Sequence, residues 1–203
     1  EINIVANQPL VIGGKTLQTL VADKWHTDMS YLDMPPKASM LYALEIPPRG
    51  GNTAFCCMYS IYEALPAALK ARIEGLKIKH DGTYNSGGYV RAGVTPTDDP
   101  RTAPGTIHPL VCVHPDTGRQ HLYLGRRRNA WLEGLPLAES DALLDELWAI
   151  ATAEALCWRH QWRVGDLVLW DNRCCMHYRS EVDASQPRVL YRTVVKGEAV
   201  VGA

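Results

Sequence analysis

The sequence predicts a mainly β protein, a closed or double-sheet fold such as a jelly roll (double-stranded β-helix) with flanking helices. Three observations predict it. Short apolar runs of strand length alternate with Gly- and Pro-bearing turns along most of the chain. Only two stretches carry apolar residues at helical spacing. No internal repeat or linker divides the 203 residues, and at roughly 150 residues per domain they make one domain, 1–203.

The elements follow in order. Leu41–Ile46 reads as a strand, and Pro47-Pro48-Arg49-Gly50-Gly51 after it as a turn. Ser60 with Glu63 forms a capping-box pattern ahead of Ile61, Leu65, Leu69, Ile73 and Leu76 at helical intervals. Pro66 divides that segment into two short helices, because proline is tolerated only in a first turn. Residues 84–107 are rich in Gly, Pro and Thr, and so long a loop reads equally as an active-site lid or as a surface excursion. Leu110–Val113 and Gln120–Leu124 flank a turn and read as a hairpin. A helix is expected over Ser140–Glu154, with Leu143, Leu144, Leu147, Trp148 and Ile150 on its buried side. Strands are expected at Trp162–Val164, Leu167–Trp170, Cys174–Tyr178 and Val189–Val195.

Composition narrows the function. Hydrophobic residues are 46% and charged residues 21%, enough to bury a core. A net charge of −1 leaves no global basic field, so neither a nucleic acid nor an anionic membrane surface is an expected partner. No apolar run approaches the ~20 residues of a bilayer span, and no signal-peptide pattern is present. The six cysteines fall as two adjacent pairs and two singletons without a CxxC, which suits reduced, mostly buried thiols in the cytoplasm. The chain opens at Glu1 directly into apolar sequence, and an N-terminal segment is expected to be missing. Self-association as a homo-oligomer is compatible with all of this.

Two His-x-Asp triplets are candidates for chemistry. His114-Pro115-Asp116 lies in a Pro-Asp-Thr-Gly turn, where Asp has a local hydrogen-bonding role, and reads as structural. His26-Thr27-Asp28, if extended, presents an imidazole and a carboxylate on one face. A histidine from elsewhere would complete a two-histidine, one-carboxylate set suited to non-haem Fe(II), with open positions for substrate and oxygen. His177 is the candidate, sharing a strand face with Cys175 and Arg173. Arg188, Leu190 and Arg192 share a second face, and two inward guanidinium groups call for anions. Taken singly, each has a plainer reading: a hydrogen-bonded structural histidine, or a pair of surface arginines.

Taken together, Trp25-His26-Thr27-Asp28, Pro47-Pro48-Arg49-Gly50-Gly51-Asn52-Thr53, His108-Pro109-Leu110-Val111, His114-Pro115-Asp116-Thr117-Gly118, Trp170-Asp171-Asn172-Arg173 with His177, and Arg188 with Arg192 resemble the TauD/TfdA family. The order matches, and so do the intervals, with 24 residues between Asp28 and Thr53 and 10 between His177 and Arg188. The resemblance runs from about Trp25 to Gly197.

It implies a dioxygenase using Fe(II), 2-oxoglutarate and O₂ to hydroxylate a small organic acid such as a sulfonate or aryloxyalkanoate, releasing succinate and CO₂. By resemblance, His26, Asp28 and His177 hold the iron. Thr53 and Arg188 hold the distal carboxylate of 2-oxoglutarate, and Arg192 binds the acidic group of a small anionic substrate. The carboxylate of Asp28 points to hydroxylation rather than halogenation. Arg126-Arg127-Arg128 reads either as a solvated cluster or as a source of one substrate-facing arginine. The competing reading is a non-catalytic jelly-roll protein that binds or senses metal and 2-oxoglutarate. A zinc hydrolase on the same ligands would leave Thr53, Arg188 and Arg192 unexplained.

Overall fold

The computed structural model describes residues 2–17, 24–85, 88–97 and 99–203. In chain order the elements are β1 (Asn3–Ala6), β2 (Leu10–Ile12), β3 (Lys15–Leu17), β4 (Ala38–Glu45), β5 (Thr53–Cys57), α1 (Met58–Ala64), α2 (Ala67–Ile73), β6 (Lys77–Asp81), β7 (Gly105–Pro109), β8 (Val111–Val113), β9 (Gln120–Leu122), β10 (Trp131–Leu132), α3 (Leu137–Ala151), β11 (Cys157–His160), β12 (Leu167–Asp171), β13 (Cys175–Arg179) and β14 (Val189–Val195). This is the mainly β jelly-roll architecture with flanking helices that the sequence predicts. No helix among the described residues is long and apolar enough to cross a membrane.

Two antiparallel sheets frame the site. One has the order β1-β14-β4-β12 and the other β11-β5-β13. Alternation gives each sheet an inner face. Val5, Leu41, Ala43, Leu190 and Trp170 of the first sheet pack against Phe55 of the second. The register of β14 on β4 shifts between Val189 and Leu190, a bulge at the end of the strand next to Arg188.

The helices cover the outer face of the second sheet. Cys56 and Met176 point away from the site into a core shared with Ile61, Leu69, Ile73, Leu143, Leu144 and Leu147. Each such fully buried aliphatic side chain contributes about 1.5–3 kcal/mol relative to exposure. The β8–β9 hairpin forms with Val111 opposite Leu122, and Pro66 caps α2 after α1 ends.

Several expectations are corrected. Ser60 is inside α1, which starts at Met58 with Cys57 as its cap and no capping side-chain bond. The third helix begins and ends three residues early, at Leu137 and Ala151, and Trp148 and Ile150 are only partly buried. Trp162–Val164 is not a strand; the strand is Cys157–His160, pairing with β5. Residues 105–107 of the Gly/Pro/Thr-rich stretch belong to β7, and residues 86, 87 and 98 of it lie outside the described residues.

Candidate active site

His26 and His177 pair directly. His26 N donates to His177 O and His177 N donates to His26 O, both at 2.9 Å. The two rings consequently lie with centroids 4.2 Å apart. Asp28 follows two residues after His26 and turns its carboxylate to the same point. Its Oδ1 is 3.5 Å from Nε2 of His26 and 4.0 Å from Nε2 of His177. Donor atoms of all three residues fall within 4.8 Å of one another, and all three residues are buried.

The sequence holds these groups in place by longer-range contacts. Nδ1 of His26 donates to Lys24 O at 2.8 Å, which puts the ring lone pair on Nε2. The His177 ring is fixed by packing, with Trp170 at 4.6 Å and Phe55 at 6.0 Å. The two oxygens of Asp28 have different work. Oδ1 faces the histidines, while Oδ2 accepts from Ser39 Oγ at 2.8 Å and pairs with Arg192 Nη2 at 2.8 Å. Asn172, fully buried, clamps the backbone here: Asp28 N donates to its Oδ1 at 2.9 Å, and its Nδ2 donates to Asp28 O and Pro36 O. Met29, next in the chain, has φ 51°, in the left-handed region.

Protonation states suit a cation. Burial raises the Asp28 pKa, but His177, His26 and Arg192 outweigh it and hold the carboxyl well below the usual carboxylate range. Burial, with His26 alongside, holds the His177 imidazole well below its ordinary value, so it is neutral. Two imidazoles and a carboxylate, each with one atom aimed at a common point, are the donor set of a facial non-haem iron triad. The residues fit a divalent metal.

Beside this point lies a cleft whose walls include Thr53, Arg179, Arg188 and Arg192. Arg188 is 3% exposed. Its Nε donates to Gly51 O at 2.7 Å and its Nη2 to Thr53 Oγ1 at 3.3 Å. Thr53 Oγ1 also accepts from Trp162 Nε1 at 2.9 Å, which explains why Trp162 is buried outside any strand. Gly51 has φ +65°, and a Cβ there would lie 2.8 Å from Cδ of Arg188, so the Gly-Gly turn is what lets the arginine in. Burial, reinforced by Arg179, pushes the Arg188 guanidinium down to about 9.

All six residues singled out by the sequence (His26, Asp28, Thr53, His177, Arg188 and Arg192) therefore line one cleft. Other expectations change. Arg173 does not share the face of His177; it is bound to Asp171 and Asp116 at the surface. Cys175 lies opposite Cys57, two pairs along from His177 and on the same face of the strand, as expected. His114 bonds Asp171 at 2.9 Å, in keeping with a structural role. The arginine cluster splits: Arg127 pairs with Asp141 and Asp145, Arg128 stacks on Tyr84, and Arg126 is half-buried, donating to Asn85 O, with burial lowering its guanidinium against the pull of Asp28. Sequence reading missed Ser39 and Arg179. The one signal for Arg179 is its place two residues after His177 in a strand.

A jelly roll that closes two histidines and an aspartate around one point, with an arginine-lined cleft beside it, defines a class of non-haem metal proteins. The chain belongs to the family described as taurine catabolism dioxygenase TauD, TfdA family, which it matches over residues 6–194. It is 39% identical over 178 residues to the alpha-ketoglutarate-dependent 2,4-dichlorophenoxyacetate dioxygenase of Cupriavidus pinatubonensis, covering 87% of this chain and 61% of that protein. It is 37% identical over 189 residues to the alkylsulfatase of Acinetobacter baylyi, covering 90% and 59% respectively. The crystal structure of AAD-2 with Mn(II) and N-oxalylglycine superposes with a TM-score of 0.83 at 34% identity, over 100% of this chain and 75% of that one. A taurine dioxygenase from Burkholderia xenovorans gives 0.74 at 32% identity, over 98% and 66%. The chain spans about three fifths of the length of the curated relatives it matches.

Proposed function

We propose that this chain carries the active site of an Fe(II)- and 2-oxoglutarate-dependent dioxygenase that hydroxylates a small organic acid. The observation that carries the reading is the convergence of His26, Asp28 and His177 beside a cleft whose far wall holds Thr53 and Arg188. Relatives named for aryloxyalkanoates, alkyl sulfates and sulfate esters support an anionic substrate of that size.

His26, Asp28 and His177 hold the iron, which with 2-oxoglutarate and O₂ supplies the oxidising power to replace a substrate C–H by C–OH, releasing succinate and CO₂. The chain's own part is positioning. Thr53 and Arg188 bind the distal carboxylate through a hydroxyl and a planar cation. Arg192 keeps one N–H on Asp28 and has others to offer to the acid group of the substrate. That link ties the place where substrate charge arrives to the outer oxygen of an iron ligand. The buried, apolar walls from Val5, Leu41 and Trp170 exclude water around the reacting bond.

The described part of the 84–107 stretch acts as a cover over the substrate side, a reading supported by the Arg126 bond to Asn85 O and the Arg128 stack on Tyr84. Residues 1–203 work as one unit. Six free cysteines, three of them buried, suit a reducing cytoplasm.

The test is an aerobic assay with ferrous iron and 2-oxoglutarate against a panel of sulfonates, aryloxyalkanoates and sulfate esters. Succinate formation that depends on one of these acids is expected. Keto-acid binding without turnover across the panel would favour a sensing protein instead.

A further inference from the structure

Thr53 receives two donors on one oxygen. Trp162 Nε1 donates to its Oγ1 at 2.9 Å, and Arg188 Nη2 donates to the same atom at 3.3 Å. An indole N–H and a guanidinium can only donate, so neither bond can run the other way. A threonine hydroxyl has two acceptor positions and one proton. Both positions are taken, and among the described residues nothing accepts the proton. It is left to point away from Trp162 and Arg188. Thr53 is 2% exposed and lines the cleft beside the iron ligands.

The local chain is built to hold that indole. His160 lies opposite Thr53 in the β11–β5 register, and Trp162 follows it by two residues. Asp166 grips the chain on both sides of Trp162: His160 Nε2 bonds to its Oδ2 at 3.1 Å, and Arg163 N donates to the same oxygen at 2.8 Å. The His160 ring stands edge-on to the indole, with centroids 4.6 Å apart and planes at 89°. Trp162 itself is buried in one cluster with Val5, Phe55 and Leu190. A phenylalanine would fill much of the same space. What tryptophan adds is the N–H, and that N–H goes to the Thr53 hydroxyl.

We propose that Trp162 is a positioning residue that makes the Thr53 hydroxyl a fixed donor, its proton aimed at the distal carboxylate of the keto acid. This rests on the 2-oxoglutarate reading above and deepens it, since that reading needs only that a hydroxyl be present. With the indole in place, Arg188 and Thr53 both present donors to the ligand end, which is what a carboxylate accepts. Without it, one lone pair of the hydroxyl is released, the O–H rotates, and for part of the time oxygen faces oxygen. Trp162 thereby favours keto acids that end in a carboxylate without touching the ligand.

The experiment is an anaerobic titration of the Fe(II)-loaded protein, following the visible absorbance that a keto acid produces on chelating ferrous iron. Two ligands are compared: 2-oxoglutarate, and 2-oxobutyrate, which lacks the distal carboxylate. Trp162→Phe is expected to weaken 2-oxoglutarate about three- to tenfold, the worth of one hydrogen bond, and to leave 2-oxobutyrate within about twofold, with iron still bound. In a Thr53→Val background the same Trp162→Phe change is expected to cost 2-oxoglutarate less than about twofold more, because the hydroxyl it acts through is gone. Indole N–H resonances of the metal-free protein give a second readout that keeps Trp162 in place: Thr53→Val is expected to move one of them upfield by removing its acceptor. Unchanged 2-oxoglutarate affinity in Trp162→Phe, an equal loss for both keto acids, the same loss in both backgrounds, or no indole resonance displaced by Thr53→Val overturns the role of Trp162 and leaves the iron centre standing. Absence of the absorbance with either keto acid in the unmodified protein overturns the 2-oxoglutarate reading, and this inference with it.

Discussion

His26 and His177 are bound to each other through their backbones, each donating to the other's carbonyl at 2.9 Å. This isolated antiparallel bridge fixes the spacing of the two imidazoles before any metal arrives. The side chains then need only small adjustments to share one ion. Asp28 is secured separately, through Ser39, Arg192 and Asn172. The centre is thus preorganised by one backbone bridge and three side-chain attachments, and each of the three can be cut by itself.

Asn172→Ala removes the clamp on the Asp28 backbone. It leaves three buried backbone groups, Asp28 N, Asp28 O and Pro36 O, without their partner. A loss of about 1–3 kcal/mol is expected for each group left unsatisfied, and outer-shell changes of this kind weaken metal binding by roughly 10–100-fold. Thermal unfolding and ferrous-iron calorimetry on the same preparation check both.

Gly51→Ala tests the seat of Arg188. The added methyl meets Cδ of Arg188, and φ +65° is unfavourable for alanine. The 2-oxoglutarate requirement is expected to rise about as strongly as in Arg188→Ala, while iron binding is retained. Equal 2-oxoglutarate affinity in Gly51→Ala and the unmodified protein would show that the arginine is not held by this turn.

Arg192→Ala separates substrate from co-substrate. Primary-substrate KM is expected to rise at least tenfold with little change in the 2-oxoglutarate KM, whereas Arg188→Ala gives the reverse. Identical effects of the two variants on 2-oxoglutarate alone would contradict the division between them.

Anion binding is also expected to stabilise the fold. Arg188 sits buried with its guanidinium pushed down to about 9 by burial and Arg179. At 100 times its Kd, N-oxalylglycine contributes about 2.7 kcal/mol. For a chain of this length that is roughly 5–10 °C in Tm. The shift is expected to vanish in Arg188→Ala, as thermal melts with and without the ligand will show.

The ligands, Arg188 and Arg192 were legible in the sequence because strand alternation places them on shared faces and their intervals resemble those of the TauD/TfdA family. What was not legible depends on partners far apart in the chain. Ser39 is an unremarkable serine until the fold sets its hydroxyl on Asp28. Arg126 is indistinguishable from Arg127 and Arg128 by residue type, and only the fold separates it, turning it to Asn85 O while Arg127 pairs with Asp141 and Asp145. Among the strands, β6 was hidden by its charges, since in Lys77–Asp81 the lysines face outward and only Ile78 is an apolar buried residue. β11 was hidden because Trp158 and Arg159 are exposed, so no alternation marks it. Trp162 misled in the opposite way, being buried to serve Thr53 rather than to extend a strand.

The most direct test of the central claim is anaerobic calorimetry of Fe(II) binding to the unmodified protein and to His26→Ala, Asp28→Ala and His177→Ala, each checked for a cooperative melt. One iron per chain in the unmodified protein and loss of that binding in all three folded variants is the result predicted. Undiminished one-to-one binding in folded His177→Ala would contradict the account.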